Sequence, residues 1–296
     1  MPAHYHLPGL FEFYEFYKVF LPLYREHPEY FYDWCRIESI YGAPADCLWG
    51  GGRAGFGEDR ASDVIDLLNE YQISPRLTFS NSLLTRKDLE DRHCRRLCSL
   101  FEKTDVKSGI ILCSDLLLEY LKKYYPNFYF ISSTTKVLTQ FDDFKKELDR
   151  PDFSYVVIDF RLNHAFSHLK LLSQGEKNKV EFLCNECCSI ACKDRKRCYE
   201  SVSRKNLGME SDSFRCTSPS GKNGYRFSLA MESPAFIGID EIQNTYLPLG
   251  FSNFKIEGRS LGSALLLEFI LYYMTKPQYQ LKVREEIYLD SMLDLF

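Results

Sequence analysis

Eleven cysteines occur in this 296-residue chain, and six of them crowd between positions 184 and 216: Cys184, Cys187, Cys188, Cys192, Cys198 and Cys216. Thiolate is the soft ligand of zinc and of iron–sulfur clusters, and four are normally required. Cys188 and Cys192 stand four apart, so on a helical turn they face the same way. Lys193, Arg195, Lys196 and Arg197 surround them, and such positive charge lowers a thiol pKa and offsets the charge of a tetrathiolate centre. The preferred ligand set is Cys188, Cys192, Cys198 and Cys216, with Cys184 and Cys187 as substitutes. Zinc sites usually show paired Cys-x2-Cys knuckles, and only Cys184 to Cys187 has that spacing. The irregular pattern favours a 4Fe-4S cluster, with zinc as the alternative. Cys35, Cys94, Cys98 and Cys113 read instead as small core residues.

A second constellation is ionic. Lys255, Glu257 and Arg259 alternate at strand period and so share one face. Asp159 and Arg161 repeat the pattern elsewhere. Charges on a barrel strand must pair, because burying an unpaired ion costs several kcal/mol. One reading is an interior salt-bridge lattice. The other is an anion pocket in which Arg53, Asn81, Lys255 and Arg259 bind substrate while Asp159, Arg161 and Glu257 do the chemistry. The six histidines are scattered, and no nucleophile–histidine arrangement is legible among them.

The segment Gly250-Phe-Ser-Asn-Phe-Lys-Ile-Glu-Gly-Arg259 is the sharpest motif. It resembles the signature of the collagenase-like peptidase family, number thirty-two among peptidases of unknown catalytic type. Ala43-Pro44 with Gly50-Gly-Gly-Arg53, the stretch Leu77 to Asn81, and Val180-Glu181 just before the cysteines are similar to further parts of that family. The resemblance implies a barrel with a four-cysteine iron–sulfur site. It also implies oxygen-independent hydroxylation of RNA bases or quinone precursors, despite the peptidase name. The cysteines here are more crowded than in that family.

These groups need a scaffold. Strand-like runs at 36–41, 76–80, 109–113, 128–132, 155–160, 180–184 and 254–257 alternate with helical stretches, the signature of a parallel sheet covered on both faces. The expected fold is α/β, a (β/α) TIM-like barrel over 36–296. A Cys-rich insertion at about 184–240 would lie on the C-terminal face, where such barrels build active sites. Residues 1–35, with the aromatic run at 10–24, read as an N-terminal helical extension, and its aromatics as a candidate contact for a homo- or hetero-oligomer. No Gly-x-Gly-x-x-Gly joins a strand to a helix, so dinucleotide binding has no support.

Composition narrows the class. Against 37 Lys and Arg stand 41 Asp and Glu, which gives no global footprint for nucleic acid. The opening MPAHYHLPG lacks the basic start and apolar core of a secretory signal. The apolar run at 264–274 is interrupted by Glu268 and too short to span a bilayer. The expectation is a cytoplasmic protein off the membrane, acting as an iron–sulfur enzyme on an anionic small molecule or RNA base. The alternatives are a zinc-stabilised scaffold and a literal peptidase.

Overall fold

Short apolar runs such as Gly109–Leu112 and Val180–Leu183 become strands because both faces are covered, one by helices and one by the barrel lumen. The computed structural model describes residues 1–52, 57, 59–186, 188–209, 214, 216, 226–259 and 261–293. Eight parallel strands close in chain order: β1 (Ala3–Pro8), β2 (Cys35–Gly42), β3 (Ser74–Phe79), β4 (Gly109–Leu112), β5 (Tyr129–Ser132), β6 (Phe153–Val157), β7 (Val180–Leu183) and β8 (Asn253–Lys255). The seven expected strands are all present, with small displacements at their ends. Helices α1 (Tyr14–Glu26), α2 (Ala61–Tyr71), α3 (Arg92–Phe101), α4 (Asp115–Tyr124) and α5 (Phe141–Leu148) cover the outside. The β6–β7 crossover holds a 3-10 turn at Phe160–Leu162 and two single α-helical turns, α6 (Phe166–Leu169) and α7 (Gln174–Lys177).

The eighth strand corrects the reading of the N-terminus. Residues 1–35 are no extension: β1 pairs with both β2 and β8 and closes the ring. Its two histidines and terminal proline disguise a clean alternation, in which Tyr5 and Leu7 enter the main core while His6 faces the lumen. Helix α1 follows as the first outer helix and continues past Pro22. Its Phe16, Tyr17 and Phe20 are buried in the same core, so the face expected to recruit a partner is spent on the barrel itself. Each such ring contributes roughly 1.5–3 kcal/mol of burial.

Period-two alternation divides every strand between two environments. Outward residues such as Leu77, Phe79, Ile110, Leu112 and Phe182 pack under the helices. Inward residues form a small apolar cluster of Tyr41, Ile111, Ile131, Val157 and Leu183, beside a set of charged groups. Gly109 is required here: a β-carbon on it would stand 2.6 Å from the Tyr129 ring. Without that space the tyrosine could not cross the lumen to meet the charges.

Between β7 and β8 the chain makes its long excursion, which includes α8 (Arg195–Asn206) and the helix Phe227–Met231. The excursion is tied off at its base. The Ile237 amide donates to the Cys184 carbonyl at 3.0 Å, and Asn163 Nδ2 donates to the carbonyls of Leu183 (2.9 Å) and Ala235 (2.8 Å). The chain then returns through β8 to the C-terminal helices Ser263–Tyr273 and Gln280–Leu293.

Candidate active site at the barrel mouth

The site is built from the lumen upward. Glu181 on β7 is fully buried and stands between two cations: its Oε2 accepts from Arg76 Nη1 of β3 at 2.6 Å, and its Oε1 from Lys255 Nζ of β8 at 3.2 Å. Arg76 also donates through Nε to Tyr129 Oη at 2.9 Å and lies 4.5 Å from the Tyr155 ring centroid. Lys255 Nζ sits 3.5 Å from the centroid of Tyr41, whose hydroxyl donates to the Ile256 carbonyl at 2.6 Å. One carboxylate thus serves two cations, with Glu181 and Arg76 fully buried and Lys255 nearly so.

Protonation follows from that imbalance. Burial opposes the charged form of Glu181, but the charges of Lys255 and Arg76 outweigh it and hold the carboxyl well below its usual range. Burial and the charge of Arg76 push His6 well down, so its imidazole is neutral. Lys255 is brought down to about 8, first by burial and then by Arg76 and Arg259 working against Glu181. A lysine in this setting gives up its proton far more readily than one in water.

Above the lattice, at the C-terminal ends of the strands, opens a small cavity continuous with solvent. Lys255, Glu257 and Arg259 all line it, as the alternation of the motif predicts. Thr78, Ser133, Thr134 and Thr135 supply hydroxyls, and the apolar cluster of Ile111, Val157 and Leu183 supplies the dry part of the wall. Arg259 is held by Glu12, whose Oε1 accepts from Nε at 2.7 Å, and by the Ala43 carbonyl, which accepts from Nη2 at 3.0 Å. Its Nη1 lies against Gly52, where a β-carbon would be only 2.8 Å away. Glu257 is placed through its backbone: Asn185 Oδ1 accepts from its amide at 2.7 Å, and Asn185 Nδ2 donates to its carbonyl at 3.0 Å.

The roof is the excursion. Helix α8 is strapped across the mouth by Asn206 Nδ2 to the Gly50 carbonyl (2.6 Å) and by Asn81 Nδ2 to the Ser203 carbonyl (3.2 Å). Tyr199 and Glu186 reach the cavity wall. Arg195, fully buried, forms an ion pair with Glu186 and stacks 4.6 Å from the Phe160 centroid. Its Nε and Nη1 find no acceptor among the described residues.

The sequence-derived site residues separate into two groups. Asn81 is wholly buried and acts as a strap, donating to the carbonyls of Leu48 (3.0 Å) and Ser203 and accepting from the Leu83 amide at 3.0 Å. Asp159 and Arg161 form a bidentate pair, with Nη1 at 2.9 and 3.0 Å from the two carboxylate oxygens. Arg161 spends its remaining donors on the carbonyls of Ile190 (3.1 Å) and Cys192 (2.6 Å). Neither is among the residues lining that cavity; through Arg161 the pair holds the cysteine segment. Arg53 and Cys187 lie outside the described residues.

The thiols divide as well. Cys184 belongs to the hydrophobic core, its sulfur donating to the Phe182 carbonyl at 3.6 Å, and it is no substitute ligand. Cys188 is buried beside Phe160 and Ala235, Cys192 and Cys198 are half-buried, and Cys216 is exposed. Among the described residues no three His, Cys, Asp or Glu side chains converge on a point that would hold a metal ion. As placed, the described thiols do not form a four-sulfur cradle.

A solved structure titled as that of the U32 peptidase Mk0906 superposes with a TM-score of 0.53 at 13% sequence identity, covering 87% of this chain and 94% of that one. The fold is U32-like. No family model and no curated protein matches the sequence.

What sequence reasoning missed in this U32-like barrel is its floor. Arg76 and Glu181 each sit in an apolar run, and a charge that interrupts such a run at an inward position was the available signal. His6 and Ser39 were missed with β1: His6 Nδ1 and Ser39 Oγ are 2.8 Å apart, and His6 Nε2 is 3.6 Å from Glu181. This serine–histidine–glutamate chain has the composition of a nucleophilic triad. Both Ser39 and His6 are fully buried and off the cavity wall, so it serves to order the lattice. None of the described helices is long and apolar enough to cross a membrane.

Proposed function

We propose that this U32-like barrel is an enzyme whose mouth binds an anionic small molecule or nucleobase, with Lys255 and Arg259 as the cationic contacts and Glu257 as the acid–base group. One observation supports the reading: Lys255, which shares the buried Glu181 with Arg76, and Arg259 both line the cavity at the strand ends. A bound anion would pair with them away from bulk water, where such a pair is worth more than an exposed one. The apolar wall would take a planar or hydrocarbon part of the ligand, and the hydroxyls of Ser133 to Thr135 would orient it.

The iron–sulfur assignment to Cys188, Cys192, Cys198 and Cys216 remains part of the proposal. It is supported by the resemblance and by the closeness in sequence of Cys188, Cys192 and Cys198 on the roof over the cavity. Two measurements test the proposal. Calorimetric titration with small carboxylates and phosphates should show binding that Lys255→Met and Arg259→Met each weaken at least tenfold; no binding by any anion refutes the pocket. Anaerobically purified protein should be coloured and carry iron and acid-labile sulfide in stoichiometric amounts; colourless protein with stoichiometric zinc refutes the cluster.

A further inference from the structure

We propose that Lys255 is a catalytic amine that forms an imine with the carbonyl carbon of a small 2-oxo or aldehyde acid bound at the barrel mouth. The inference deepens the anion-site reading and rests on it. It assigns covalent chemistry to a residue so far treated as a charge.

The geometry is the argument. Lys255 ends β8 on the cavity wall, where a ligand can reach it, yet the residue is only 5% exposed, so its amine is largely shielded from bulk water. Groups from several strands face it. Tyr41 of β2 covers one side with its ring, Glu181 of β7 accepts from Nζ, Arg76 of β3 and His6 of β1 complete the lattice, and Glu257 and Arg259 follow on its own segment. Two guanidinium groups oppose its charge and one carboxylate favours it. With its pKa near 8, about a tenth of the amine is neutral at pH 7, against fewer than about one in a thousand for an ordinary lysine. Arg259 Nη1 beside Gly52 offers the same cavity a donor for the carboxylate of the ligand.

The step balances within the site. Neutral Nζ attacks the carbonyl carbon, the C–N bond forms, and the carbonyl π pair passes to oxygen, which takes a proton. Nitrogen loses one proton, the C–O bond breaks, and the oxygen leaves as water. The sum is amine, carbonyl and one proton giving a protonated imine and water; Glu257 is the titratable group on the wall able to carry protons to the departing oxygen. The protonated imine keeps the positive charge of the ammonium, so the ion pair with Glu181 and the contact with the Tyr41 face both survive the reaction. The lattice is then complementary to the intermediate as well as to the resting lysine.

The test uses the intact protein and glyoxylate, the smallest anionic aldehyde, with cyanoborohydride to reduce the imine. Peptide mapping should find Lys255 modified at least tenfold faster than exposed lysines such as Lys87 and Lys123, with a pH midpoint near 8. Labelling of Lys255 no faster than theirs overturns the proposal. Oxalate, an anion with no electrophilic carbonyl of comparable reactivity, separates the two readings. If oxalate binds and glyoxylate does not label Lys255, the anion site stands and the covalent role falls. If oxalate binds and also protects Lys255 from rapid labelling, both hold. If neither anion engages the protein, both fall together. Lys255→Arg, which keeps the charge, should abolish the rapid label while calorimetry still detects oxalate; a rapid label that persists overturns the assignment to Lys255.

Discussion

Lys255-x-Glu257-x-Arg259 and Asp159-x-Arg161 look alike as sequence, and the molecule uses them in opposite ways. Strand β8 ends at Lys255, so that side chain is still in lumen register and joins the buried lattice. Strand β6 ends at Val157, two residues before Asp159, which instead accepts from the Arg161 amide at 3.1 Å in the turn that follows. A charge inside the register is forced to find partners across the barrel. Asp159, just beyond it, organises the local loop and through Arg161 holds the segment of Ile190 and Cys192. Being past a strand end does not by itself decide the outcome, since Arg259 also lies beyond β8 and still pairs with Glu12, far away in sequence.

That contrast can be broken experimentally. The largest effect should come from Glu181→Ala, which leaves Arg76 and Lys255 buried without their carboxylate; denaturant unfolding should show a loss of about 3–5 kcal/mol. A loss below about 1 kcal/mol would mean the lattice is solvated and the floor no different from a surface pair. Asp159→Ala should cost less, about 1.5–3 kcal/mol for hydrogen bonds to a charged group. It should speed proteolysis around residues 190–194 while leaving oxalate affinity unchanged. Were affinity to collapse with the loop intact, Asp159 would belong to the site after all.

A titration sharpens the comparison further. Folded Lys255 releases its proton near pH 8 and the unfolded residue near 10.5. Between those values the unfolded chain holds the extra proton, so stability rises with pH, by at most about 1.4 kcal/mol per unit. Lys255→Met should flatten that rise, and an unchanged slope would remove Lys255 as its source. The smallest effect is expected from Gly52→Ala. Its new methyl would displace Arg259 Nη1 from a 2.8 Å approach, at about 0.5–1.5 kcal/mol of rotamer strain, weakening oxalate binding a few-fold with little change in melting temperature.

Much of the scaffold was legible because parallel strands buried on both faces leave long apolar runs, and seven of these stand out in the chain. β1 was hidden by composition: a six-residue strand with two histidines and a terminal proline does not read as an apolar run. The cavity-lining charges were legible from alternation at 255–259. Their partners were not, since Glu181, Arg76 and Glu12 lie far away in sequence and nothing local announces which charge a closed ring will bring opposite. The cysteine spacing was visible, but Cys184 shows its limit: a thiol one residue past a strand end packs into the core like any other small apolar group.

Closure by β1 has a consequence for how the chain acquires its structure. His6, Arg76, Glu181 and Lys255 come from the first, third, seventh and eighth strands, so the carboxylate can meet Lys255 on the neighbouring strand early but meets Arg76 across the lumen only when the ring is complete. The last strand to be synthesised must dock against the first, across a sequence separation of nearly the whole chain, a contact of the slowest kind. Until then the glutamate and the lysine stay hydrated. Sealing the ring, drying the centre and pairing Glu181 with Arg76 should therefore occur as a single late event, and a partly zipped intermediate would be a barrel in outline with no chemistry inside it.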